Sequence, residues 1–321
     1  MTPLRIVVAP NAFKETFSPR EAARLIARGL RRALPRARLI LLPLADGGDG
    51  TLEALRSHYG GRLVSVRVAG PMGDPVRASY LRAGSTAVVE MARASGLKLV
   101  PEGRRNPLLA STRGSGELIA RAVADGASRV LLGVGGSATV DGGRGAMEVL
   151  TPALCRRITI LCDVENPLLG PKGAARVFGP QKGATPAMVE VLEKRNAAWA
   201  RTLPKDVRRV PGTGAAGGLP APLLAHGAKL VPGAAFIAKL HGFPRPCDVV
   251  VTGEGKVDAT SLGGKVVGTL LKLSTAPVVV VCGRCELDLP AFETGARTAA
   301  ALTAAAERAG RWIQERIASG R

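Results

Sequence analysis

"RVLLGVGGSATVDGGRGAM", residues 129–147, enters as an apolar run and turns at Gly133 into a glycine-rich loop around one carboxylate, Asp141. The run lacks polar alternation, as strands covered on both faces do, so it reads as an interior strand. Glycine lets backbone approach a ligand closely, and bare backbone after a strand points to a phosphate or a dinucleotide.

Outward from this stretch, runs of the same kind recur at 5–10, 38–44, 63–70, 86–92, 158–164, 248–255 and 277–283. Helical patterns separate several of them. The first opens with Ser18 as cap, Pro19 at the first helical position and Glu21 three residues after the cap, a capping box. Others start near Gly116, at Thr185-Pro186 and near Leu289, the last carrying Leu302, Ala306, Ala309, Ile313 and Ile317 on one face. Residues 63–92 differ, with three strands in succession and tight Gly/Pro turns between them, an antiparallel meander that marks entry to a second domain. The pattern is α/β with a largely parallel sheet, and 321 residues exceed the usual single core.

Apolar residues make up 46% and charged residues 22%, the balance of a globular protein in water. No run of eighteen apolar residues occurs, and "MTPLRIVVAP" enters a strand without a basic lead or a cleavage site. A cytoplasmic protein with no membrane partner is expected. The net charge of +20 raises nucleic acid as a partner. Yet Arg24, Arg28, Arg31 and Arg32 lie opposite the stripe Ala22, Ile26, Leu30 and Ala33, and aromatic residues are only 3%. Without a stacking surface the charge reads as solvated surface with some steering of anions, and no nucleic-acid partner is expected. Cys282 and Cys285 lack two further zinc ligands, and His58, His226 and His241 show no metal-like spacing, so the pair reads as two strand-end thiols.

Polar residues gather where the strands end. Asn11, Ala12 and Lys14 follow the first; Asp46 and Asp49 the second; Ser137 and Asp141, Asp163 and Asn166, and Glu254, Asp258 and Lys265 follow later ones. One such loop is ordinary turn chemistry, but five of them outside the carboxyl ends of apolar strands describe one large polar site. Gly133, Gly135 and Ala138 fit the dinucleotide fingerprint, but "TVDGG" follows where a helix should open, and no Walker motif occurs. A nucleotide site of another design remains. Gly135, Gly136 and Ser137, with Gly214 and Gly217 of "GTGAAGG", are candidates to cradle phosphates. Asp141, Asp163, Glu254 and Asp258 are candidates for magnesium, and Lys14, Lys182 and Lys265 for anionic oxygens, the parts phosphoryl transfer needs. Plainer readings stand beside these: Asp46 and Asp49 as turn formers, Asp163 as a turn cap before Pro167, and Lys182 as a surface charge.

"APNAFKETFSPREAA", "PLADGGDGT", "GVGGSATVDGGRGAM", "CDVENPLLGPKGAARVFGPQKGAT", "GTGAAGGL" and "VTGEGKVDATSLGGK" together resemble the bacterial glycerate kinase family (type 1), in the family's order from about residue 4 to 283. The resemblance implies ATP- and magnesium-dependent phosphorylation of D-glycerate, with 2-phosphoglycerate the favoured product. It also implies two α/β domains with the site between them: 1–68 with 262–321, and 69–261 inserted, a mostly parallel sheet carrying helices on both faces. From the acidic strand exits "CDVEN" and "TGEGKVD", Asp163 is the expected base with Asp46 as alternate, Lys14 and Lys265 are expected to grip anionic oxygens, and Glu254, Asp258 and Asp141 to hold the metal. The chain departs from the family pattern at Asn11-Ala12 (usually Asp-Ser), Asp49 (Glu), Val140 (Asn) and Thr260 (Gln). It is also shorter between Leu150 and Arg157 and after Cys282. A kinase of a related hydroxy acid and an NAD(P)-dependent oxidoreductase stay open as alternatives, as does a homodimer.

Overall fold

The computed structural model describes residues 3–13 and 16–319. Each expected apolar run forms a strand, and most stop short because their last residues leave the sheet as loop. In chain order the strands are β1 (Arg5–Val8), β2 (Arg38–Leu41), β3 (Arg62–Ala69), β4 (Pro75–Ala83), β5 (Thr86–Glu90), β6 (Arg129–Gly133) and β7 (Ile158–Leu161). Then come β8 (Lys229–Val231), β9 (Val249–Thr252), β10 (Lys256–Val257), β11 (Val278–Cys282), β12 (Arg284–Cys285) and β13 (Ala291–Glu293). The chain divides into two compact units, Met1–Asp46 with Ala234–Arg321, and Gly47–Gly233.

In the first unit the sheet order is β13-β11-β9-β1-β2, with every neighbouring pair parallel. Strand β9 is buried at every residue, which is why its sequence shows no alternation. The helix Pro19–Ala33 starts as its capping box dictates: the Ser18 hydroxyl accepts from the Glu21 amide at 3.3 Å, and the Glu21 carboxylate accepts from the Ser18 amide at 2.9 Å. Its buried stripe Ala22, Ile26 and Leu30 packs in one core with Leu302, Ala306, Ala309 and Ile313 of the helix Ala299–Ala318. The two helices approach closely at Gly29, where a Cβ would lie 2.2 Å from the Thr303 carbonyl oxygen. That last helix begins at Ala299 under a Thr298 cap rather than near Leu289. Pro290 and Gly295 break the helical pattern, and Ala291–Glu293 pairs with β11 instead. Ile317, expected on the apolar face, is 49% exposed in the final turns.

In the second unit the order is β3-β4-β5-β6-β7-β8. Strands β3, β4 and β5 form the antiparallel meander, and β5 through β8 run parallel. The meander extends the parallel sheet and marks no boundary. The units part at 46/47 and 233/234 rather than at 68/69 and 261/262. Two contacts explain the shift: the Gly47 carbonyl accepts the Gly135 amide at 2.9 Å, and β9 pairs with β1. Among the described residues no helix is long and apolar enough to cross a membrane.

Candidate functional site

In the first unit the strand exits carry the expected side chains. Asn11 leaves β1 buried, donating its amide to the Gly253 carbonyl at 2.8 Å and its Nδ2 to Asp46 Oδ2 at 3.2 Å. The pair links the ends of β1 and β2. An aspartate at 11 would set two carboxylates against each other, so asparagine supplies the donor that Asp46 needs. At the end of β9, Gly253 leaves no room for a side chain, since a Cβ there would lie 1.8 Å from the Val281 carbonyl oxygen. Glu254 follows, 7% exposed.

Asp258, after β10, accepts the Thr260 amide at 2.9 Å and its hydroxyl at 2.6 Å, with Lys256 Nζ at 3.2 Å. The Thr260 hydroxyl foremost, with Lys256 behind it, holds this carboxyl down at about 2. Lys265 Nζ donates to the same Thr260 hydroxyl oxygen at 2.8 Å, so Asp258, Thr260 and Lys265 form one chain of bonds. Lys14 lies outside the described residues. Cys282 ends β11 buried, and burial pushes its thiol up to about 12, which leaves it inert as a strand-end residue.

In the second unit the glycine loop leaves β6 at Gly133. A Cβ on Gly135 would fall 2.4 Å from Gly48 Cα, so two loops meeting backbone to backbone require glycine there. Gly136 is exposed with φ +75°, its carbonyl accepts the Leu97 amide at 2.9 Å, and the Ala138 amide donates to the Ser95 carbonyl at 2.9 Å. Among the described residues, no backbone bond of the loop uses the Gly136 or Ser137 amide. Asp49, salt-bridged to Lys98 at 2.6 Å, stands beside Gly136. Ten residues of loop separate Gly133 from the helix Arg144–Met147, so no helix N-terminus follows the fingerprint glycines as a dinucleotide fold requires.

Asp141 is held by four donors. Its Oδ2 accepts the Thr112 amide at 2.8 Å, the Thr112 hydroxyl at 2.7 Å and the Gly145 amide at 3.2 Å; its Oδ1 accepts the Gly143 amide at 3.0 Å. Both oxygens are thus engaged in folding the loop, as the two Asp258 oxygens are engaged by Thr260 and Lys256. Among the described residues no three His, Cys, Asp or Glu side chains gather where they could hold a metal ion.

Gly214 and Gly217 pack closely against neighbouring backbone. A Cβ would meet the Pro167 carbonyl oxygen at 2.1 Å from the first and the Thr139 carbonyl oxygen at 1.9 Å from the second. Both are buried against neighbouring loops, and the Gly217 carbonyl accepts the Gly142 amide at 3.0 Å. They shape the scaffold behind the glycine turn. Asp163 is half-buried just past β7, and Asn166 spans the following turn to the Lys172 carbonyl at 2.8 Å.

Two further residues in this unit are set by burial. Lys182, which the sequence offered both as a candidate for anionic oxygens and as a surface charge, is 3% exposed and donates to Ser137 Oγ at 2.7 Å and to the Thr139 carbonyl at 2.8 Å. Its signal was isolation, since it is the sole charge in "VFGPQKGATPA". Glu90 ends β5 buried and accepts the Leu52 amide and Arg93 Nε, each at 2.8 Å, which anchors the helix Thr51–Tyr59 behind Gly47–Gly50. An acid closing an apolar strand in "TAVVEMA" was its signal.

The chain matches the model of the glycerate kinase family over residues 6–156 and 151–317. The two stretches overlap at 151–156, which includes the single-turn helix Pro152–Cys155. A glycerate kinase of Halalkalibacterium halodurans is 39% identical over 322 residues, covering 87% of this chain and 85% of that protein. A glycerate 2-kinase of Escherichia coli K12 is 39% identical over 330 residues, covering 89% and 87%. A crystal structure described as a candidate glycerate kinase 2 from Salmonella typhimurium LT2 superposes with a TM-score of 0.82 at 35% identity and covers 99% of both chains. With strand exits, glycine turn and sequence in agreement over nearly its whole length, the chain belongs to the glycerate kinase family.

Proposed function

We propose that this protein transfers the γ-phosphoryl group of ATP to D-glycerate with magnesium, and that the 2-hydroxyl is the acceptor. The observation that carries the nucleotide half is the turn at Gly136–Ser137: an exposed glycine at the end of a parallel strand, with two successive amides uncommitted to the loop. The name of the Escherichia coli relative, glycerate 2-kinase, favours the 2-hydroxyl. In this reading the Gly136 and Ser137 amides, with Gly135 shaping the turn, receive phosphate oxygens, and Asp163 accepts the proton of the glycerate hydroxyl. Lys265, with Lys14, draws anionic oxygens.

Magnesium prefers oxygen ligands and is commonly held by one or two carboxylates beside phosphate oxygens and water. Glu254 and Asp258, two acids on one strand exit, suit that need, and Asp258 is already held as an anion. When bound, the metal supplies charge neutralisation on the phosphates. A related hydroxy acid is the second reading, favoured by the Asn11–Asp46 pair where the family pattern has aspartate at 11.

A coupled assay is expected to show ADP release with D-glycerate that EDTA abolishes, and phosphorus NMR to show the phosphate ester on C2. No ADP release with glycerate, alongside turnover of another hydroxy acid, would replace the substrate. Gly136→Ala tests the turn. Left-handed backbone costs a residue with a Cβ roughly 1–2 kcal/mol, so the amides should rotate away from their ligand. Losing one hydrogen bond to a charged group, roughly 1.5–3 kcal/mol, corresponds to about a tenfold to hundredfold rise in KM for ATP. A variant with a lowered Tm and unchanged kinetics would make the turn scaffold only.

A further inference from the structure

Resting on that reading of the turn, we propose that Lys182 is its positioning residue. It grips the Ser137 hydroxyl and the Thr139 carbonyl from the buried side and so sets how the Ser137 proton and the two amides meet a nucleotide phosphate. One group pins the chain at two points two residues apart, at 2.7 Å and 2.8 Å. At 3% exposure the ammonium does not itself reach a ligand, so it works through the loop. Because Ser137 Oγ accepts from Lys182, the hydroxyl proton is directed elsewhere and serves as a third donor beside the amides.

The lysine's own backbone is fixed. It ends the short helical turn Pro180–Lys182, and the next residue, Gly183, has φ +91° with space for a Cβ only 2.8 Å from the Arg105 carbonyl oxygen. A flexible surface lysine would need no such mooring.

The charge of Lys182 is poised as well. Burial pushes it down to about 7, with Asp141 pulling it back up. On the segment against Gly183, Arg105 is paired with Glu102 at 3.7 Å, and Asp141 spreads its own charge over four donors. A phosphate chain arriving at Gly136–Ser137 adds negative charge above the amine, which takes a proton from solvent as the nucleotide binds. Binding therefore weakens as pH rises above 7, because the proton must be acquired first.

The test compares Lys182→Met, Ser137→Ala and the double variant, with KM and kcat for both substrates on either side of pH 7, and proton uptake on magnesium–ADP binding by calorimetry in buffers of different ionisation enthalpy. Lys182→Met is expected to raise KM for ATP about tenfold to a hundredfold while KM for glycerate holds. Its KM for ATP should lose the rise above pH 7 that the parent shows. Ser137→Ala should be milder, and the double variant no worse than Lys182→Met alone. The parent should take up a proton on binding ADP at alkaline pH, a measurement that stands even if Lys182→Met does not fold. Absent proton uptake, an unchanged KM for ATP, or additive effects in the double variant would overturn the inference while parental glycerate kinase activity stands. A parent without ATP-dependent activity would instead overturn the functional reading.

Discussion

Asp163→Asn is expected to lose turnover by about 10²–10⁴-fold while ATP still raises the Tm of the folded protein. The glycerate hydroxyl is a weak nucleophile, and an amide of the same shape cannot accept its proton. Asp163 is half-buried at the end of β7, and Asn166 spans the next turn to the Lys172 carbonyl, so the substitution keeps the volume and the turn. Stability is read beside turnover, because one Asp163 carboxylate oxygen is buried. A fully active Asp163→Asn enzyme would shift the base to Asp46, and a loss of Tm without loss of kcat would make Asp163 a turn cap.

Asp141→Ala should have the largest effect on stability. It strips the acceptor from the Thr112, Gly143 and Gly145 amides and the Thr112 hydroxyl at once. Bonds to a charged group contribute roughly 1.5–3 kcal/mol each and are not additive, so a loss of about 3–5 kcal/mol is expected. For a unit of this size that is a fall in Tm of about 10 °C, readable by calorimetry. Asp141→Asn should recover only part, because its NH₂ would face donors. A stable Asp141→Asn protein with altered magnesium dependence would return this residue to the metal.

The strands were legible because an apolar β-branched run between glycine-rich turns has few alternatives, and the helix Pro19–Ala33 because Ser18, Pro19 and Glu21 each mark its start locally. The start of the helix Ala299–Ala318 was missed because its apolar stripe is visible in sequence, while the pairing of Ala291–Glu293 with β11 is not. The strand exits were legible, but individual roles depended on partners distant in sequence. Glycine at 214 and 217 serves contact between backbones, which in sequence looks the same as contact with a ligand. Asp141 illustrates the same ambiguity, since amides and cations both attract a carboxylate. Lys182 and Glu90 are defined by burial, which only the folded chain creates.

The pairing of Ile6 with Val249 has a consequence during synthesis. At ribosomal rates of about 5–20 residues per second, β1 waits roughly ten seconds or longer for its central partner. The helix Pro19–Ala33 waits longer still for the helix Ala299–Ala318. Every strand of the sheet within Gly47–Gly233 has been made before β9 appears. The nascent protein therefore carries an early-completed half together with an apolar stripe of Ala22, Ile26 and Leu30 that stays bare until Ala299–Ala318 has been made, and that stripe is where a nascent-chain chaperone would find its longest-lived target.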